Sequence, residues 1–363
     1  MKVKFNPKNE RIKKKYFSYL MEAKQLSAST VDSIRKAIHR YEDFNAYEDI
    51  GKFSKDKAMK FKKALIETKN KAKAEPLSKS TILHTLNPLK DFFKWLAYLE
   101  GYRSKIKLPD IEYFNLSEKD TREAKASGFK DYPTTEQIKK AIFYVTPQNE
   151  IQMRDQALIA FTFLTGIRDG AIITLKLKHM EVDKKLVVQD PREVKTKFSK
   201  MIDTYFFPVG EDIERIVLNW IKYLREVKLY GDNEPLFPKT LMIISEEKTF
   251  VAAGISNQHW QSVGPMRDIF KQTFENAGLK YYTPHTFRNT LVQLGEKICT
   301  SPEEFKAWSQ NLGHESPLTT FISYGQVSTH RQGELIKNVG KGKKEDGVSH
   351  DLLQKIWSKL DKD

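Results

Sequence analysis

A chain of 363 residues is long enough for two domains, each burying its own core. Its 39% hydrophobic and 30% charged residues, with a mean hydropathy of −0.57, describe a globular protein with a well-solvated surface; no apolar run approaches the roughly 20 residues of a membrane-spanning helix. One cysteine, Cys299, excludes an intramolecular disulfide and any multi-cysteine metal cluster, and a net charge of +15 points to a polyanionic partner.

The first residues, MKVKFNPKNERIKKK, contain no apolar segment suited to a secretory signal, so a cytoplasmic, nucleoid-associated protein is expected. The charge is unevenly spread. Residues 1–108 hold 26 Lys+Arg against 12 Asp+Glu, a net of +14, whereas residues 109–363 hold 36 against 35, a net of +1. A first domain gripping a nucleic-acid backbone, followed by a near-neutral domain doing local chemistry, has this distribution.

Two helices stand out in the first hundred residues, LSASTVDSIRKAIHRYEDF and LSKSTILHTLNPLKDFFKWLAYL, each opened by hydroxyl residues suited to N-capping. In the former, Val31, Ile34, Ile38 and Tyr41 share one face at helical spacing, which turns Arg35, Lys36, His39 and Arg40 outward. In the latter, Ile82, Leu86, Leu89, Phe93 and Leu96 form the buried stripe. The stretch between them reads as a further basic helix, so residues 1–108 make a small all-helical domain. Arg35, Lys36, His39, Lys79 and Lys90 are the candidate DNA contacts, with an ordinary solvated face as the competing reading for each.

Periodicity is lost over residues 109–132, where Pro109 and Gly128 stand among many charges, and this predicts an interdomain linker. TTEQIKKAIFYV and IQMRDQALIAFTFLTG follow as helices. From Lys185 to Val209 the short runs LVVQ, REVKTKF and DTYFFPV predict a small antiparallel sheet. Helices return at EDIERIVLNWIKYLREV, at HWQSVGPMRDIFKQTFENAG and from RNTLVQLGEKI onward. The expected fold class is mainly α with a small antiparallel β-sheet, in two domains, with the second spanning 133–338. Residues 339–363 read as a hinge and an amphipathic helix that places Leu353, Ile356, Trp357 and Leu360 on one face. That face folds onto its own domain or docks onto a neighbouring subunit.

Four fragments of the second domain carry chemistry when taken together: TGIRDG, VKTKF, TPHTFRNT and LGHESPLTTFISYG. Each alone has a structural explanation, as a turn, a helix start or packing. In order they supply Arg168, a lysine, His285, Arg288, His314 and Tyr324, the groups needed for phosphoryl transfer without a metal. A tyrosine hydroxyl attacks a phosphodiester, two guanidinium forks meet the charge developing on the non-bridging oxygens, and histidine and lysine move the protons. Lys195 is the best candidate for protonating the leaving oxygen, with Lys197 and Lys200 as alternatives. No tight Asp/Glu cluster or H-E-x-x-H spacing is present, so no metal site and no cofactor are expected.

These fragments resemble the tyrosine recombinase, or phage integrase, family over residues from about 10 to 338. TGIR is similar to its first arginine box, PHTFR to its His-x-x-Arg box, and LGHESPLTT followed by Tyr324 to its last. The resemblance implies a clamp of a helical, SAM-like core-binding domain and a catalytic domain around double-stranded DNA at a specific recombination site. It also implies a 3′-phosphotyrosine intermediate, no ATP or metal, exchange within a homotetramer assembled on DNA from monomers or weak oligomers, and a C-terminal segment passed to the adjacent protomer. The roughly ten residues before the first domain are too few for an arm-site domain, so core-site binding alone is expected.

Three positions depart from the family pattern: Ala171 stands where an acidic residue usually follows the first arginine, one extra residue separates His314 from Tyr324, and the lysine box is loose. A mobile-element integrase is the first reading and a chromosome-dimer resolvase of the Xer type the second. A type IB topoisomerase and a DNA-binding regulator that lost catalysis are the rivals.

Overall fold

The computed structural model describes residues 5–69, 74–126, 131–144 and 146–314. Tyr324 and the expected hinge and tail helix at 339–363 lie outside them. The chain divides into two compact units, residues 1–128 and 129–363.

In the first unit, α1 (Pro7–Ser18), α2 (Ala28–Phe44), α3 (Lys55–Glu67) and α4 (Lys79–Tyr98) begin at side-chain caps. The hydroxyls of Ser27 and Ser78 accept the N–H of Thr30 and Thr81, as the hydroxyl-rich helix starts predict. Val31, Ile38 and Tyr41 are buried, Ile34 packs at the edge of the core, and the whole predicted stripe of α4 is buried. An aromatic cluster joins the helices: Phe53 stacks on Phe93 at 4.0 Å, and Tyr41 meets both Phe61 and Phe93 edge-on at 5.2 Å.

The expected linker over 109–132 is corrected by this unit. Residues 108–125 form two short helices, α5 (Leu108–Ile111) and α6 (Glu118–Lys125), and α6 packs along α4. Ile111 and Phe114 belong to the first core, and the Phe114 ring joins the aromatic cluster. Pro109 is a helix start here, since the missing N–H costs nothing in a first turn, and Ser117 caps α6. Helices of one or two turns bury too few residues to display a period, which is why the stretch reads as aperiodic.

In the second unit, α7 (Thr135–Phe143) opens with a capping box between Thr134 and Gln137. It leads to α8 (Glu150–Thr165), buried throughout from Ala157 to Thr165 and packed by α7 and by the amphipathic α10 (Glu211–Glu226). The short α9 (Asp169–Ile172) follows α8. Strands β1 (Met180–Glu181), β2 (Leu186–Gln189) and β3 (Ile202–Tyr205) form an antiparallel sheet in the order β1-β2-β3, with Val187 opposite Thr204.

Of the three predicted β runs, LVVQ forms β2 and only the start of DTYFFPV lies in β3. REVKTKF is a turn followed by a 3-10 turn at Lys197–Ser199, because neither neighbouring strand extends far enough to pair with it. Phe207 leaves the sheet, donating its N–H to the Leu164 carbonyl and burying its ring.

A second hairpin, β4 (Thr240–Ile244) with β5 (Phe250–Ile255), is absent from the sequence reading. Its base is anchored on α8: Glu150 accepts the Ile255 N–H at 2.8 Å and the Tyr223 hydroxyl at 2.9 Å, and Arg154 donates to the Pro238 carbonyl and the Thr240 hydroxyl. Helices α11 (Gly264–Asn276), α12 (Phe287–Ile298) and α13 (Pro302–Asn311) complete the unit. Among the described residues no helix is long and apolar enough to cross a membrane.

Candidate active site

The site is assembled at the C-terminal end of α8. There Gly166 adopts φ +60° and caps the helix in the left-handed region that favours glycine. A Cβ at this position would stand 2.8 Å from Leu291 and 2.9 Å from Leu312, so the glycine is also required by the close approach of α12 and the α13 end. The chain then buries Ile167 and presents Arg168 as the N-cap residue of α9.

Asp169 does not stand in for the missing acid at 171. Its carboxylate is bound by Arg267 of α11, at 2.9 Å and 2.5 Å. Ala171 itself is 1% exposed inside the core, a place where a carboxylate would lose its hydration.

His285 lies in a 3-10 turn, Pro284–Thr286, that runs directly into α12, and Arg288 follows three residues later on the same side. His285 is exposed, whereas Arg288 is 2% exposed. Two main-chain carbonyls hold the Arg288 guanidinium: Nη1 donates to Gly166 and Nη2 to Leu312, each at 2.6 Å. Its Nε is buried and has no hydrogen-bond partner among the described residues. A buried cation held by neutral acceptors keeps its positive charge uncompensated, and a buried donor without an acceptor is costly. The cradle is therefore suited to an oxyanion.

His314 follows Gly313, another residue with positive φ, and is 7% exposed. Its Nε2 lies 2.8 Å from Arg288 Nη2. Because a guanidinium only donates, Nε2 must accept, which puts the ring proton on Nδ1. Burial, then the charges of Arg288, Arg168, His285 and Lys197, push the His314 pKa down to about 3. Four of the sequence-selected groups thus bear on one imidazole, and the neutral ring can donate Nδ1–H to an anion entering the site.

The lysine-bearing loop joins β2 to β3. Its first half is pinned, since Glu193 accepts from Lys176 at 2.9 Å and Lys178 at 2.8 Å, which holds its carboxyl down at about 2, and Val194 is buried. The Lys195 main-chain N–H donates to the Thr174 hydroxyl at 3.0 Å, which ties the loop to the residues just after α9. The Lys195 and Lys197 side chains are exposed, and the Lys197 charge contributes to the field at His314. Tyr324 lies outside the described residues. Among those residues no group of three or more His, Cys, Asp and Glu is arranged to hold a metal.

In the first unit the candidate DNA contacts separate into two sets. Arg35, Lys36 and His39 are exposed along α2, with Lys36 paired to Asp32 at 2.8 Å. Lys79 instead pairs with Asp120 at 2.8 Å, and Lys90 lies against Asn115 and Glu112. Acidic residues of the stretch that reads as linker therefore face the two candidates on α4, while Asp32 faces two of those on α2. The carbonyls of Gly166 and Leu312 and the hydroxyl of Thr174 are missing from the sequence reading. Main-chain acceptors carry no residue-type signal, and only the glycine of TGIR marks where one of them lies.

A buried arginine cradle, a neutral histidine and surrounding cations in a mainly helical domain have the chemistry that suits an oxyanion such as a phosphodiester. The model of the phage integrase family matches residues 133–331, and that of the phage integrase N-terminal SAM-like domain matches residues 14–99. The chain belongs to the phage integrase family, whose members are tyrosine-type site-specific recombinases.

Tyrosine recombinase XerD of Listeria monocytogenes is 20% identical over 328 residues, covering 90% of this chain and 96% of that protein. Among solved structures, a lambda integrase (75–356) dimer bound to a COC′ core site superposes with a TM-score of 0.57 at 15% identity, covering 88% of this chain and 96% of that one. XerH recombinase bound to palindromic difH substrate gives 0.57 at 14%, with 90% and 82% covered. The Tn1549 transposon integrase in complex with transposon right-end DNA gives 0.52 at 13%, with 90% and 99% covered.

Proposed function

We propose that the protein integrates or excises a mobile element by cutting and rejoining DNA strands through Tyr324. The observation that carries this reading is the Arg288 cradle, whose buried Nε lacks an acceptor among the described residues, beside a neutral His314. A scissile phosphate supplies that acceptor. Arg168 and Arg288 neutralise its non-bridging oxygens, and His314 donates Nδ1–H to it.

The Tyr324 hydroxyl attacks phosphorus and gives its proton to His285 as the bond to the 5′ oxygen breaks. A lysine ammonium of the β2–β3 loop protonates that oxygen. The products are a 3′-phosphotyrosyl bond and a 5′-hydroxyl, and attack by the 5′-hydroxyl of a partner strand reverses the steps. Lys195 is the proton donor by its sequence pattern. Lys197 is the second candidate, because its charge reaches His314.

The partner is double-stranded DNA at a specific site, held by the exposed α2 face of the first unit, in a homotetramer formed on DNA from monomers or weak oligomers within the bacterial nucleoid. The segment containing Leu353, Ile356, Trp357 and Leu360 links neighbouring protomers. A second reading, resolution of chromosome dimers, is favoured by the similarity to XerD and uses the same chemistry.

The test is a duplex nicked beside its cleavage position, incubated without divalent metal. A denaturant-resistant protein–DNA adduct that disappears in Tyr324→Phe is expected. No adduct on the cognate site favours a regulator without catalysis, and relaxation of plasmid lacking any such site favours a topoisomerase.

A further inference from the structure

The described part of the catalytic unit brings the segment that delivers His314 against the strand that follows the lysine loop, and one side chain makes the join. Strand β3 is an edge strand, so the outward main-chain groups of Tyr205 need partners from elsewhere. Asn311, the last residue of α13, supplies both: its Oδ1 accepts the Tyr205 N–H at 2.7 Å and its Nδ2 donates to the Tyr205 carbonyl at 2.9 Å. The amide thus substitutes for a neighbouring strand.

Two further contacts reinforce the join. The Thr204 hydroxyl donates to the Asn311 carbonyl at 3.1 Å while accepting from Gln189 of β2 at 3.0 Å, so both strands flanking the loop are tied to one residue. Ile202, the first residue of β3, lies where any side chain at Gly313 would fall, 2.9 Å from an added Cβ.

We propose that Asn311 is a positioning residue for strand cleavage, registering the lysine loop against the phosphate-binding histidine three residues after it. The inference rests on the phosphotyrosine chemistry proposed above. His314 is held independently by Arg288, and Arg288 by the Gly166 and Leu312 carbonyls. Loss of the Asn311 amide therefore releases the loop rather than the histidine. The affected step is proton delivery from the loop lysine to the departing 5′ oxygen.

That step can be isolated by replacing the bridging 5′ oxygen with sulfur, whose thiolate leaves without a proton. With Asn311→Ala, adduct formation on the nicked oxygen substrate should slow by about ten- to a hundred-fold, as for a modest misplacement of a catalytic group. On the sulfur substrate the variant should keep the wild-type rate to within about a factor of two, as expected where general-acid assistance is not needed. The isosteric Thr204→Val, which loosens the same join from the strand side, should show the same selectivity with a smaller loss. Equal slowing on both substrates, or no slowing on either, overturns the proposal. Absence of any wild-type adduct would instead overturn the recombinase reading on which it rests.

Discussion

Arg288 Nη2 and His314 Nε2 stand 2.8 Å apart with the arginine donating, so the second histidine of the site is held neutral by its burial and by the guanidinium it helps to orient. The same guanidinium spends its two terminal nitrogens on main-chain carbonyls and leaves Nε without a partner among the described residues. In the proposed reaction a phosphate oxygen would complete the set.

Removing the guanidinium should harm both stability and cleavage. In Arg288→Met the Gly166 and Leu312 carbonyls lose their buried donor, which should cost about 2–4 kcal/mol. Adduct formation on the nicked duplex should fall by roughly 10²–10³-fold, the scale for one lost donor to a developing oxyanion. A variant that melts and cleaves like the wild type would show that the cradle holds nothing that matters.

His314 predicts a pH dependence of folding. Its folded pKa of about 3 lies below its ordinary 6.5, so between these values the unfolded chain binds a proton that the folded chain refuses. The sign follows directly: this contribution is fully present above pH 6.5 and is lost progressively as the pH falls through the window. The loss should be about 2 kcal/mol between pH 6.5 and 5. Denaturant titrations of the wild type and His314→Asn at the two pH values measure it. An equal pH effect in both proteins would remove His314 as the source.

Gly166→Ala should destabilise the catalytic unit by about 1–3 kcal/mol, because the new Cβ meets a left-handed backbone and two packed leucines. It should also slow adduct formation, since the displaced carbonyl is an Arg288 acceptor. The denaturation midpoint and the adduct rate should fall together.

In the first unit, Arg35→Ala with Lys36→Ala should weaken binding to duplex DNA and flatten the slope of log affinity against log salt by about 2. Lys79→Ala, whose ammonium is 29% exposed against Asp120 where that of Lys36 is 78% exposed, should leave that slope nearly unchanged. The opposite ranking would move the DNA contact from α2 to α4.

Much of this protein was readable from residue order alone. Helical periods of long elements are repeated many times, so the stripes of α2 and α4 were found almost residue for residue. The candidate chemical groups are legible because each sits in a short fragment with its own turn signals, as Gly166 does before Arg168. Elements of one or two turns lack repetition, and so α5 and α6 passed for a linker, although Ile111 and Phe114 close the first core. The β4–β5 hairpin is not legible in the sequence for a related reason: what fixes it is Glu150 and Arg154, roughly a hundred residues earlier in the chain.

The sequence by itself determined which side chains this protein offers as candidates for phosphoryl transfer and in what order, because those are properties of local fragments. Only the tertiary structure decided that Asp169 serves Arg267, that carbonyls of Gly166 and Leu312 hold Arg288, and that His314 is neutral. Each of these depends on burial and on main-chain groups brought together across long stretches of chain. Neither quantity exists until the chain has folded.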